Sequence, residues 1–487
     1  MPHAPSAIVD TVADFTSTAG DSVAAPAGDS QASGADVITL SAPVQGVPHH
    51  SSDLAGCAAL DGRASSSTRT GDFRPAACLS QLSEASASQL KRFGASLHDD
   101  AAEDVDFATV IGEKGSAQAT ANWWSTLTTT RRQQLIDTMP GVVGNLEGVP
   151  YTVRDVANRL TLTTTINDLE LEQTRAQFGL VSFGDEARRL TMLQQVSIAL
   201  QRGREGDDAT RQLVSLDTVF PGRAAVSVGD LDTADNVSLM VPGMLYTVSN
   251  QITYWTDRAA DLHSEQELYS NALASQTNRP TTSATVAWMG YRTPDLTNVL
   301  SLTLARAGAV HLEDTVRGLD AERQADLPRV NVIAHSYGST TATIALSSGK
   351  IHVDSLTVLG SPGSVVPRAD DLAVTRGSVY AAAAALDPVA GSGVFGVDPG
   401  GTSFGATLLN VAGGTDPFTE QHLAATFTHN TYFMPGSESI RNLALIGIGQ
   451  GSLAGGRAPA PSAPAGSSEP SLAYVRPQDV YRESLAV

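Results

Sequence analysis

The run Val330-Asn331-Val332-Ile333-Ala334-His335-Ser336-Tyr337-Gly338 sets a serine at the end of an apolar stretch, with small residues, Ala334 and Gly338, two positions away on either side. A helix-forming segment, Ser339 to Leu346, follows at once. A serine hydroxyl is a weak nucleophile until a neighbouring base takes its proton. A sharp strand-to-helix turn between small residues is the arrangement that presents it. Ser336 is therefore the candidate nucleophile, and the chemistry is attack on a carbonyl carbon. Two looser matches, Gly20-Asp21-Ser22-Val23-Ala24 and Gly28-Asp29-Ser30-Gln31-Ala32, have no strand before them and no helix after. Ala334 stands where such turns usually carry glycine, and its side chain is small enough for the turn.

A serine in such a turn is served by an acid and then a histidine, in that chain order. His422 and His429 follow Ser336 at a workable distance, whereas His352 is too near. His422 falls in a helix-like stretch, Thr419 to Ala425, and His429 in a loop-like one, so His429 is preferred. The acids between are Asp354, Asp370, Asp371, Asp387, Asp398, Asp416 and Glu420. Asp387 is favoured because it ends an apolar run, Val379 to Leu386, before Pro388. Asp398 and Asp416 are similar Asp-Pro turns without so clear a strand before them. For the oxyanion hole, one donor is the Tyr337 N–H. The other candidate is the Met244 N–H, because Gly243 after Pro242 lets the chain turn its amides inward. Gly243, Leu245 and Ser361 are candidate pocket residues, with Met244, Tyr254 and Trp255 nearby. Gly391 to Gly405 reads as a mobile lid or as an ordinary surface loop. This chemistry requires no metal and no cofactor.

The elements that must hold these groups alternate. Strands are expected at Gln212–Val219, Ala224–Val228, Val237–Val241, Ala284–Met289, Val330–Ala334, Ser355–Leu359, Val379–Leu386 and Thr407–Val411, with helices between them. Earlier helices are expected from Ser125 to Met139, from Pro150 through Leu160, and from Ala187 to Gln201. The division read from the chain is a low-complexity disordered arm over 1–85 and a helical region over 86–205 that packs on the catalytic domain. An α/β domain over 206–450 and a low-complexity tail over 451–487 complete it.

The chain has 487 residues and a net charge of −20, which disfavours nucleic-acid backbones. No apolar run reaches the roughly 20 residues of a membrane span. The N-terminus shows no ordinary secretory signal pattern, so a cytoplasmic location is expected, with export by another route or an incomplete N-terminus as the alternatives. Cys57 and Cys78 are read as ordinary thiols in preference to a disulfide, for want of any motif spacing. Composition leaves the oligomeric state open.

Further words recur in one order along the chain. They include Trp123-Trp124, Gly144-Asn145-Leu146-Glu147-Gly148-Val149-Pro150, Arg154-Asp155, Ala157-Asn158-Arg159 and Ala224-Ala225-Val226-Ser227-Val228-Gly229-Asp230. Val241-Pro242-Gly243, Ala287-Trp288-Met289-Gly290-Tyr291, Ala334-His335-Ser336-Tyr337-Gly338-Ser339, Gly360-Ser361-Pro362-Gly363, Asp387-Pro388, Phe404-Gly405-Ala406, and His429 with Tyr432 continue it. With these the sequence, from about Trp123 to Ile448, resembles the predicted α/β-hydrolase family abundant in actinobacteria. The resemblance implies an α/β-hydrolase fold, a mostly parallel central sheet flanked by helices, with an N-terminal helical region. It also implies the triad positions Ser336, Asp387 and His429, but no substrate. The expected function is hydrolysis of a carboxylic ester, a lipid or other acyl ester, through an acyl-enzyme. The alternatives are acyl transfer by the same triad and a non-catalytic interaction module.

Overall fold

The computed structural model describes residues 75–99, 117–178, 184–201, 209–274 and 279–457. Most of the expected N-terminal arm, and the tail beyond 457, lie outside the described residues.

Helices come first. Pro75–Glu84 (α1) and Ala87–Asp99 (α2) precede Ala117–Thr126 (α3), Thr129–Thr138 (α4) and the single turn Pro140–Val143 (α5). The helix expected from Ser125 to Met139 is broken, because Thr128 accepts from the Arg131 N–H (3.2 Å) and starts a new one. Pro140 opens the next turn at its first position, where a missing N–H costs nothing. Tyr151–Gln177 (α6) runs well past Leu160. The Asp232 carboxylate caps it, accepting from the N–H groups of Tyr151 (2.6 Å) and Thr152 (2.7 Å). Gly184–Gln201 (α7) buries Leu190, Leu193, Val196 and Leu200 on one stripe. The arm expected over 1–85 thus ends in a helix, α1, whose Cys78 and Leu82 are buried with Leu90, Phe93 and Trp124. Cys78 is disulfide-bonded, which corrects the free-thiol expectation. Spacing alone cannot reveal such a bond, since it depends on how the chain folds back. Cys57 lies outside the described residues.

The strands follow in chain order: Arg211–Asp217 (β1), Arg223–Val228 (β2), Asn236–Val241 (β3) and, after helix Val248–Ala272 (α8), Ser283–Met289 (β4). Helix Thr303–Glu322 (α9) leads to Arg329–His335 (β5), and Tyr337–Ser347 (α10) to Ser355–Leu359 (β6). Val379–Ala382 (β7) and Thr407–Leu409 (β8) come next, then a small hairpin of Gly414–Thr415 (β9) and His422–Leu423 (β10). Glu438–Gly447 (α11) and Gly456–Arg457 (β11) end the described chain. The main sheet has nine strands in the order β1-β2-β4-β3-β5-β6-β7-β8-β11. Strands β4 through β8 in that order pair in parallel, and β1, β2 and β11 are antiparallel at the edges. The parallel strands therefore all end at one edge, and the loops after them gather there.

Residues alternate across the sheet with period two. Val330, Val332 and Ala334 of β5 join one core layer with α9 and α10. Ile333 joins the other with α6, α7, α8 and α11. Helix α11 sits so close to the sheet that Asn331 of β5 donates to the Gly447 carbonyl (2.8 Å). Three expectations change. Strand β7 ends at Ala382 and not at Leu386, because its last pairing is Ala382 with Leu359 of β6 and the N–H groups of Ala384 and Leu386 then go to Tyr432 and Phe427. His422 lies in strand β10 and not in a helix, paired with Thr415. Residues 451–457, expected to be tail, include β11, which pairs with Leu408 and Leu409 of β8. Among the described residues no helix is long and apolar enough to cross a membrane.

Candidate active site

Strand β5 delivers Ser336 to the collecting edge, and α10 begins at the next residue. Ser336 has φ 55° and ψ −129°, a backbone state that non-glycine residues adopt only under constraint. The constraint is visible: its N–H is held by the Leu359 carbonyl (2.9 Å), and its carbonyl accepts from the Ser339 hydroxyl (2.6 Å). The turn after β3 lies against the serine, since a Cβ on Gly243 would come within 2.6 Å of Ser336 Cβ. Any larger residue at 243 would push the serine away.

Asp387 and His429, separate in the chain, meet. The Nδ1–H of His429 donates to both carboxylate oxygens of Asp387 (2.9 and 3.0 Å). That bond leaves His429 Nε2 as the free base of the neutral ring. Asp387 is fully buried and also accepts from the Tyr432 hydroxyl (2.7 Å) and the N–H groups of Val389 (2.9 Å) and Ala390 (3.2 Å). Burial alone would raise its pKa, but the hydrogen bonds and charge of His429, with those of Tyr432 and Val389, outweigh it and hold it below the usual value. The two segments are tied together as well, by Leu386 N–H to the Phe427 carbonyl (2.8 Å) and Ala384 N–H to the Tyr432 hydroxyl (2.7 Å). Gly360, next to Leu359, has φ 58°, and a Cβ there would meet Asp387 Oδ2 at 2.5 Å and His429 Nδ1 at 2.9 Å. Only glycine lets the β6 loop pass so close to the pair. Among the described residues the Ser336 hydroxyl makes no hydrogen bond to His429; such bonds commonly tighten only on substrate binding.

The Tyr337 N–H, at the first position of α10, has no partner within its helix. Its side chain instead fixes the turn, donating to the Ser301 carbonyl and accepting from the Ala305 N–H. Met244 is half-buried in the turn that touches Ser336, and Leu245 behind it has φ 65°, its N–H held by the Pro294 carbonyl (2.9 Å). Ser361 is not an open pocket wall, because its hydroxyl takes a bond from Ser339 (2.7 Å) and one from the Gly363 N–H (3.2 Å). Trp255 belongs to the core: it is buried, bonded to the Met240 carbonyl, and packed edge-on against Tyr246 and Phe433. Tyr254 is exposed on α8 beside Arg258. The loop over 391–405 is pinned by a paired bridge between Ser364 and Val397. A cavity of about 300 Å³, lined by Asp235, Asn236, Ser270 and Arg329, opens at the opposite edge and holds none of these groups.

His335 is the residue that sequence reasoning missed. It is buried, lies with its ring 4.6 Å from that of His429 and tilted by 39°, and donates from Nε2 to the His429 carbonyl (2.7 Å). Its alternation with Ile333, away from Ala334, was the available signal. Burial and then the neighbouring His429 push its pKa down to about 3, so the ring stays neutral. In the unfolded chain it would titrate near 6.5, so between about pH 6.5 and 3 the unfolded state binds the extra proton. Stability is thus complete above 6.5 and falls as the pH drops through that window, by on the order of 3 kcal/mol at pH 4. His335→Gln should flatten this acid limb in urea titrations from pH 7 to 4; an unchanged limb would assign the acid sensitivity elsewhere.

A family model described as alpha/beta hydrolase matches residues 217–397. The chain is 30% identical over 375 residues to an uncharacterized Mycobacterium tuberculosis protein, Rv2079, a match covering 68% of this chain and 55% of that one. It thus spans about half the length of that relative. It is 31% identical over 215 residues to a second M. tuberculosis protein, Rv0963c, covering 42% of this chain and 79% of the relative. A solved esterase/lipase from an uncultured bacterium overlays at 10% identity, over 54% of this chain and 91% of its own, with a TM-score of 0.31. With the family model over residues 217–397 and the relatedness to the two mycobacterial proteins, the chain belongs to the predicted α/β-hydrolase family.

Proposed function

We propose that the protein is a serine hydrolase acting on a carboxylic ester. The observation that carries the reading is the Asp387–His429 pair, 2.9 Å apart, in loops at the same sheet edge as the constrained Ser336. His429 Nε2 takes the Ser336 proton as Oγ attacks the ester carbonyl, and Asp387 holds the ring tautomer and balances the charge formed on it. The N–H groups of Tyr337 and Met244 receive the oxyanion, each contributing roughly 3 kcal/mol. Collapse breaks the bond to the alcohol, which leaves with the proton from His429. Water, deprotonated in turn by His429, then releases the acid from the acyl-enzyme. The Cys78 disulfide supports an oxidising compartment over the cytoplasmic location expected from the sequence.

The test is a fluorophosphonate probe read by intact mass and peptide mapping. Labelling should fall on Ser336 and vanish in Ser336→Ala. Folded wild-type protein that neither takes the probe nor turns over short p-nitrophenyl esters would overturn the reading.

A further inference from the structure

Five segments at the catalytic edge are unusual for this chain: residues 242–247, 290–302, 360–367, 383–397 and 424–437. The first four follow β3, β4, β6 and β7, and the fifth carries His429. Charged residues make up 17% of the sequence, yet the whole connections 242–247, 290–302 and 424–437 hold only Arg292 and Asp295. The parts of the two longer loops nearest β6 and β7 hold only Asp387, buried beneath His429; Arg368, Asp370, Asp371, Arg376 and Asp398 come farther along those two loops. Large apolar side chains stand out into solvent from every one. Leu296 is 78% exposed, Leu300 77%, Leu386 68% and Phe427 57%, with Leu245 and Val394 also exposed. Single exposed apolar residues are ordinary on a protein surface. A charge-poor set of them gathered at the edge that presents a nucleophile marks a contact surface.

We infer that this rim docks on the surface of aggregated uncharged lipid esters, so that substrate reaches Ser336 from a lipid phase. The inference rests on the ester-hydrolase reading and names its substrate class. The occupant follows from two observations. The rim lies at the sheet edge to which β5 delivers Ser336, itself only 4% exposed, so a second protein copy seated there would shut substrate out, whereas a lipid surface brings substrate in. The chain's net charge of −20 is repelled by anionic headgroups, which leaves uncharged or zwitterionic lipid as the match. Leucine and phenylalanine side chains entering the interface supply binding in proportion to the apolar area they bury.

The experiment separates docking from turnover by using full-length Ser336→Ala, which needs no activity. It should float with phosphatidylcholine vesicles, and less when phosphatidylglycerol is added. Leu296→Asp/Leu300→Asp in that background should lower the bound fraction at least tenfold, with Leu296→Ser/Leu300→Ser between the two. In the active protein, the Asp pair should keep the rate on soluble p-nitrophenyl acetate and lose at least tenfold on emulsified tributyrin. Equal flotation with and without the Asp pair, or no flotation of folded Ser336→Ala, would overturn the proposal. So would a dimer in sedimentation that the Asp pair converts to monomer, because the rim would then be a contact between copies. If wild type fails on p-nitrophenyl acetate while flotation behaves as stated, the ester reading falls and the docking surface stands.

Discussion

Alanine at Ser336 or at His429 is expected to lower kcat on a short p-nitrophenyl ester by on the order of 10⁴- to 10⁶-fold, with little change in KM. The double variant should be no slower than either single one, because groups that act as one unit are lost together. Asp387→Asn should cost on the order of 10⁴-fold. The His429 Nδ1–H now donates to a carboxylate, and an amide in its place would favour the tautomer with the proton on Nε2, where the base must be free. Steady-state kinetics on the four proteins decides the matter. Losses that multiply across the double variant would mean that Ser336 and His429 serve separate steps. Retention of most activity in His429→Ala would reopen the choice of base, although His422, exposed in β10, is poorly placed to serve.

Glu147→Ala is expected to destabilise the fold by about 3–5 kcal/mol, the usual cost of stripping a buried charge of its partner. Arg154 on α6 is only 2% exposed and is gripped by both oxygens of Glu147, at 2.6 and 3.1 Å. It also donates to the Gly144 carbonyl and lies over the Tyr151 ring. Burial alone would lower its pKa, but Glu147 outweighs that and raises it, so the guanidinium stays charged. Urea unfolding should show a lower midpoint at an unchanged slope. Glu147→Leu with Arg154→Met should recover most of the loss, because an apolar pair has no buried charge to leave unmatched. A single variant within about 0.5 kcal/mol of wild type would mean that solvent reaches Arg154 readily.

The strand, serine and helix at 329–347 were legible because each is a local pattern: an apolar run, small residues, then a helix former. The order serine, acid, histidine narrowed the partners to two histidines and seven acids, and the strand end before Asp387 and the loop around His429 chose the pair that the structure joins by a hydrogen bond. What could not be read is non-local. The apolar run past Ala382 looks like more strand, yet Ala384 and Leu386 give their N–H groups to Tyr432 and Phe427, more than 40 residues further on. The aromatic support of the site, Tyr246, Trp255, His335 and Phe433, comes from four separate segments. No spacing rule finds such a cluster. Helix boundaries slipped where a capping hydroxyl such as Thr128 competes with apolar periodicity.

Every residue of α11 is buried, from Glu438 to Gly447, and Arg441 within it is paired with the buried Asp416. This helix is an inner layer made from one of the last described segments of the chain. During synthesis, the sheet face that it covers, including Ile333 and Met240, stays open until residue 447 has left the ribosome. His429 emerges only shortly before. A nascent chain of this protein therefore carries an exposed, sticky sheet face from the time β5 is made until α11 follows, and its yield in a foreign host should depend on chaperone supply more than its finished stability would imply.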